Sequence, residues 1–142
     1  MRGHQIIGHT ADVGLQATAT DTAALFEEAG LALAELSADV AQPAGLVAVD
    51  VDTEAHDLAQ LAYRWLNELI GLAEDRGEAL ARSEVSSMRS QDGGWRLRGR
   101  AWFAPFAGTS VRPRLQVKAA TMHGLRVERS PHGWELEVYL DV

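Results

Sequence analysis

Val13, Leu15 and Ala17 alternate with Gly14, Gln16 and Thr18, the period-two pattern of a strand with one buried face. The period then lengthens. Leu25, Ala29, Ala32, Leu33 and Leu36 recur at helical spacing behind Asp21, a residue able to accept hydrogen bonds from the free N–H groups of a first turn. Pro43 and Gly45 close this region, and Val47, Val49 and Val51 alternate with Ala48, Asp50 and Asp52 in a second half-buried strand. Thr53 is expected to open a second helix, with Glu54 and Asp57 in its first turn, where the helix dipole favours negative charge. The stripe of that helix runs through Leu58, Leu61, Ala62, Trp65, Leu66, Leu69 and Ile70. It is broad enough to require a sheet over it, and Gly77 is the expected stop.

Strands follow. Glu84 to Arg89 and Trp95 to Phe103, joined by Gln91-Asp92-Gly93-Gly94, spell a hairpin. Pro105, Gly108 and Pro113 punctuate a loop, after which Leu115, Val117 and Ala119 alternate with Gln116, Lys118 and Ala120, and Leu125 with Val127 continues. Ser130-Pro131-His132-Gly133 makes the next turn. In the last strand Trp134, Leu136, Val138 and Leu140 share one face, and Glu135, Glu137, Tyr139 and Asp141 the other. The expected fold is α+β, a mostly antiparallel sheet packed by two helices, in a single domain over residues 1–142.

Composition narrows the chemistry. No apolar run reaches the roughly 20 residues that cross a bilayer, and Met1-Arg2-Gly3-His4-Gln5 lacks the apolar stretch of a signal peptide, so a cytoplasmic protein without membrane contact is expected. The chain has no cysteine, which excludes disulfides, thiolate nucleophiles and Cys-ligated metals and leaves oxygen and imidazole as metal ligands. A formal net charge of −7 disfavours a nucleic-acid backbone as partner unless a local basic patch offsets it. Arg82, Arg89, Arg96, Arg98, Arg100, Arg112 and Arg114 with Lys118 do cluster in one third of the chain. A solvated face or a protein contact is the favoured reading of them, ahead of RNA.

Three places carry candidate chemistry. His9-Thr10-Ala11-Asp12 brings an imidazole, a hydroxyl and a carboxylate to the start of a strand, where Thr10 or Asp12 bonding a turn is the plainer reading. Asp141 and Val142 put a side-chain carboxylate and a main-chain carboxylate one residue apart. Were Asp12 to approach from a neighbouring strand, three oxygen donors would suit Ca²⁺ or Mg²⁺. His123 stands alone as a base or ligand, and the sequence holds no HExxH and no Gly-rich phosphate loop. His4, His56 and His132 read as exposed polar positions, and Trp65, Trp95, Trp102 and Trp134 as core.

Together, His9-Thr10-Ala11-Asp12-Val13-Gly14, Val117-Lys118-Ala119-Ala120-Thr121-Met122-His123 and Leu140-Asp141-Val142 resemble the signature segments of the archease family. Leu66-Asn67-Glu68-Leu69 resembles its LNELL-like helical segment, so the likeness spans essentially the whole chain. The resemblance implies a divalent-cation site, Ca²⁺ first with Mg²⁺ or Mn²⁺ as other candidates, on Asp12, Asp141 and the main-chain carboxylate of Val142. His9, Gln116 and His123 are candidate supporting residues. It also implies a non-enzymatic role: activating an RtcB-type RNA ligase by promoting its guanylation and multiple turnover in tRNA splicing and RNA repair, with RNA met only through the ligase. Gly8 stands where many relatives have Asp, Met122 where they often have Tyr, and Gln116 where Glu commonly precedes VKA, so fewer anionic ligands and a lower cation affinity are expected. The rival readings are a metal-dependent phosphoryl-transfer or hydrolytic enzyme using Asp12, Asp141 and His123, and a general chaperone or RNA-binding module using the arginine-rich strands.

Overall fold

A computed structural model describes residues 2–8, 12–41, 46–106 and 110–142. Its elements are β1 (Gly3–Gly8), β2 (Asp12–Ala19), α1 (Thr22–Ser37), β3 (Ala38–Val40), β4 (Ala48–Ala55), α2 (Leu58–Arg76), β5 (Glu78–Gln91), β6 (Gly94–Pro105), β7 (Val111–Pro113), β8 (Ala119–Ser130) and β9 (Gly133–Asp141). A four-stranded sheet runs β1-β2-β9-β8, a three-stranded sheet β4-β6-β5, and β3 pairs with β7. Every pairing is antiparallel, and the fold is α+β with two helices. The period-two residues of the sequence make the inner faces: Leu15, Ala17, Leu136, Val138 and Leu140 on the larger sheet, and Val51, Leu97, Ala101 and Phe103 on the smaller one. Both helices pack against both sheets in one core, and the fully buried indole of Trp65 on α2 donates to Phe26 O of α1 at 3.0 Å.

Asp21 caps α1 by accepting from Ala24 N–H at 2.8 Å, as its side chain allows. The second helix begins later than its sequence pattern indicates. Asp57 is the N-cap, accepting from Gln60 N–H at 2.8 Å, and Thr53 and Glu54 remain in β4. Asp50, Asp52 and Glu54 lie opposite Arg100, Arg98 and Arg96 of β6, and opposite charges across a strand pair favour its extension. Gly77 ends α2 in the left-handed conformation, φ 62°, and Asp92 with Gly93, both at positive φ, close the β5–β6 hairpin. The segment 114–118 is not strand. The N–H groups of Arg114 and Leu115 donate to Ser37 O and Leu36 O, carbonyls at the end of α1 that the helix leaves free. Pro43, Gly45 and Gly108 lie outside the described residues.

Strand β1 carries no clear alternation; it pairs with β2, and charge ties it to α1. His4 is half-buried rather than an exposed polar position: Nδ1 meets Glu28 Oε1 at 2.6 Å and Nε2 meets Glu35 Oε2 at 2.9 Å, both on α1. Arg2 completes the cluster with an ion pair to Glu28, the buried acid of the core, and another to Glu27 at 3.6 Å. Burial opposes the imidazolium, but the bonds to Glu28 and Glu35 and their charges outweigh it and hold the His4 pKa above its ordinary 6.5. Glu28 is likewise penalised by burial, yet Arg2 and His4 hold its pKa below 4.5.

On α1, Gly30 lies so close to β5 that an added Cβ would collide with Ser83 Oγ, a buried hydroxyl without a hydrogen-bond partner among the described residues. Gly30→Ala is expected to cost about 1–3 kcal/mol of stability in urea unfolding; an unchanged midpoint would mean that Ser83 yields freely.

The linkage of the His4 cluster has a definite sign. The raised His4 pKa makes its contribution complete below pH 6.5 and removes it as pH rises through the folded value. The lowered Glu28 pKa makes its contribution complete above pH 4.5 and removes it on acidification. The stability difference between wild type and His4→Gln, from urea midpoints against pH, should therefore be largest between these values and shrink above them. A difference that grows with pH would show that the imidazole is not held charged.

Candidate metal centre

β2 and β9 are the central strands of the larger sheet, and their register is continuous from Asp12↔Asp141 to Ala19↔Trp134. Because Leu15, Ala17, Leu136, Val138 and Leu140 are buried inward, Asp12 and Asp141 project together from the outer face. Directly opposed residues in such a pair have Cβ atoms about 4.5–5.5 Å apart, a distance at which two carboxylates repel. Neither has an ion-pair partner among the described residues.

The outer face around the pair is built to hold the strands still. Gly14, opposite Tyr139, leaves no room for a side chain: a Cβ there would sit 2.9 Å from Ile7 Cβ and 3.0 Å from the Tyr139 ring. The same ring covers Gly124, whose φ of 73° suits glycine. One row beyond, Gln5 donates to Gln16, Gln16 donates to Glu137 Oε1 at 2.6 Å, and Arg126 lies 3.5 Å from Glu137 Oε2, a ladder across all four strands. The Gln16 bond first, then the Arg126 charge, holds the Glu137 pKa below its ordinary range. On the far side, Ala119 of β8 is the register partner of Asp141, and Lys118 N–H donates to Asp141 O at 2.8 Å.

The remaining candidate residues fall at different distances from this pair. Val142 follows Asp141 directly. His123 is exposed, in the stretch between Thr121 and Arg126 where the β8–β9 register shifts. Gln116 lines a cavity of about 800 Å³ beneath residues 113–118, walled largely by apolar side chains such as Leu33, Leu69 and Leu80. His9 lies outside the described residues. Among the described residues no three His, Asp or Glu side chains gather as a metal cluster, so the fold supplies a pair of hard anionic oxygens with main-chain oxygens beside them. That donor set fits a hard divalent cation completed by water.

Reading the sequence left two contributors unassigned. Asn67, in the Leu66-Asn67-Glu68-Leu69 segment, bonds both backbone groups of Ala120; an amide between the buried Leu66 and Leu69 was the available signal. The main chain of Lys118 is the other, and nothing in the sequence marks a backbone donor.

Arg82, Arg89, Arg96, Arg98 and Arg100 lie on a different part of the molecule, the β4-β6-β5 sheet, while Arg112 is in β7 and Arg114 donates to Glu35 O at the end of α1. Arg96 grips Asp52 through two bonds of 3.0 and 2.8 Å, holding that carboxyl below its ordinary pKa. Arg98 and Arg100 lie 3.6 and 3.5 Å from Asp52 and Asp50. Trp102 lies beside Arg82 rather than in the core, with the guanidinium 4.4 Å from its ring centre. Arg96, Arg98 and Arg100 are thus engaged with β4 acids and Arg82 with an aromatic ring. Among the described residues no helix is long and apolar enough to cross a membrane.

Two helices packed against antiparallel sheets set the class of the fold, α+β. The Archease protein family (MTH1598/TM1083) matches residues 4–142 of this chain. The archease of Pyrococcus furiosus is 32% identical over the full length of both chains, and that of Methanopyrus kandleri is 31% identical over 96% of each. Among solved structures, the solution structure of protein 1598 from Methanobacterium thermoautotrophicum aligns with a TM-score of 0.78 at 26% identity, covering 99% of both chains. A crystal structure from Thermotoga maritima, described as an archease and possible chaperone, aligns at 0.55 and 19% over 97% of this chain and 96% of its own. The chain belongs to the archease family.

Removing one of two opposed like charges relieves repulsion. In a chelator, Asp12→Asn should stabilise the protein by about 0.2–1 kcal/mol in denaturant unfolding. A loss of stability would mean that the carboxylates do not face each other unneutralised.

Proposed function

We propose that this protein is an accessory factor, not itself an enzyme, that activates an RtcB-type RNA ligase. A divalent cation, Ca²⁺ first, is held by Asp12, Asp141 and a main-chain oxygen of Val142. Support comes from membership of the archease family and from one observation above the others: the β2–β9 register sets Asp12 opposite Asp141 with no ion-pair partner among the described residues. A bound cation supplies positive charge that relieves this repulsion and can bridge to anionic groups of the ligase. The chain's own part is to hold the two carboxylates at a fixed register on an outer face, where a partner can reach them. A partner can favour only the state it binds better, so activation requires tighter docking to the guanylation-competent ligase than to its other states. RNA is reached through the ligase, and the pairing of Arg96, Arg98 and Arg100 with Asp52 and Asp50 fits that division of labour.

The test is guanylation of the cognate ligase under single- and multiple-turnover conditions, with and without this protein. Multiple turnover should rise with it and return to the basal rate with Asp12→Ala or Asp141→Ala, while circular dichroism of both variants stays native. Stimulation undiminished in both would rule out the carboxylate pair, and no stimulation by the wild type would rule out the activator role.

A further inference from the structure

Asn67 lies on the side of α2 that meets β8, and its carboxamide is spent largely on one residue. Nδ2 donates to Ala120 O at 3.1 Å, Oδ1 accepts from Ala120 N–H at 2.9 Å, and Nδ2 also donates to Tyr63 O at 3.1 Å. β8 is an edge strand, with β9 on one side only. The N–H and C=O of Ala120 therefore point toward α2, where a further strand would otherwise bond them, and Ala120 is buried at 2% exposure. Unbonded, both groups would carry a desolvation penalty. The side-chain amide stands in for the missing strand.

What Asn67 holds in this way is the short piece of β8 that touches Asp141. Ala119, Ala120 and Thr121 pair with Asp141, Leu140 and Tyr139, after which the register is lost until Arg126. Three residues of ladder are a weak anchor by themselves. Lys118, immediately before them, gives its N–H to Asp141 O at 2.8 Å. We infer that Asn67 is a positioning residue for the Asp12–Asp141 pair: it clamps Ala120 to α2, and so fixes Ala119 and Lys118 against the main chain of Asp141. The inference rests on the proposed reading of that pair as cation ligands. It also accounts for the half-buried amide at the flank of the apolar stripe of α2.

The test uses the full chain with CaCl₂ alone as probe. Asn67→Leu has a similar size and removes both bonds. Gly30→Ala serves as a control that loosens the α1–β5 contact on another part of the molecule. Two quantities are read well below the melting temperature of every variant: hydrogen-exchange protection of the Lys118 and Ala120 amides, and the Ca²⁺ dissociation constant by calorimetry. Asn67→Leu is expected to lower both protection factors at least tenfold and to weaken Ca²⁺ binding about tenfold, the usual scale for loss of a residue that orients a ligand. Gly30→Ala should leave both unchanged, which separates positioning from a general loss of stability. Wild-type protection at Lys118 in Asn67→Leu overturns the inference, as does a Ca²⁺ affinity equal to wild type. Should the leucine variant not fold, Asn67→Asp keeps the acceptor for Ala120 N–H, loses the donor, and carries the same comparison. If the wild type binds no Ca²⁺, the cation reading falls, and Lys118 protection alone decides whether Asn67 positions Asp141.

Discussion

Buried backbone groups at the edge of a sheet must be bonded, and in this fold two such edges run along helices. Where β8 passes α2, Asn67 bonds both polar groups of Ala120. Where β5 passes α1, Glu27 accepts from Val85 N–H at 2.8 Å, at the point where a register shift between Val85 and Ser87 disturbs the ladder with β6. The carbonyls of Leu36 and Ser37 at the end of α1 are met in turn by Leu115 and Arg114. Helix side chains act as strands, and loop N–H groups act as a helix cap. Each such bond joins elements that the hydrophobic core only presses together, and leaving it unmade would cost more than making it gains.

Several of the charges follow a similar economy. Glu28 is buried but shared between Arg2 and His4. Glu137 is bonded by Gln16 and faced by Arg126, and the acids of β4 lie against the arginines of β6. Against this pattern Asp12 and Asp141 stand out, because their register makes them mutual neighbours while no cationic side chain among the described residues joins them. A folded protein tolerates such a pair on an exposed face for a fraction of a kcal/mol to about 1 kcal/mol. The same arrangement inside the core would not survive without protonation.

Much of the fold was legible because its inner faces obey simple periods. Leu15 and Ala17, the α2 stripe, and Leu136 through Leu140 announced their elements, and Asp21, Gly77 and the Asp92-Gly93 turn marked boundaries by local chemistry. What stayed hidden depends on partners distant in sequence. β1 pairs with β2 and is tied to α1 by His4 and the preceding Arg2, which no spacing within Gly3–Gly8 reveals. β4 outruns its alternating valines because arginines about 45 residues later face its acids. Leu115 and Val117 alternate like a strand, yet the N–H groups of Arg114 and Leu115 serve α1. Asp12 and Asp141 could be suspected from their chemistry, but only the β2–β9 register makes them neighbours.

That register is not set by the acids themselves. A slip of one residue between β2 and β9 would turn Leu15 and Ala17 outward and bring Asp12 toward the core face, so the burial of these apolar side chains fixes the carboxylate pair. Cation affinity in oxygen-ligated sites depends on the number of charged ligands and on the rigidity of the site. In the proposed cation site the side-chain charge is limited to the carboxylates of Asp12 and Asp141, so rigidity has to contribute a larger share. Its sources are visible on three sides. Gly14 packs beneath the Tyr139 ring, Lys118 N–H bonds the Asp141 carbonyl, and Asn67 ties the neighbouring strand to α2. The three contacts tie the anionic pair to the strands beside it and, through Ala120, to α2.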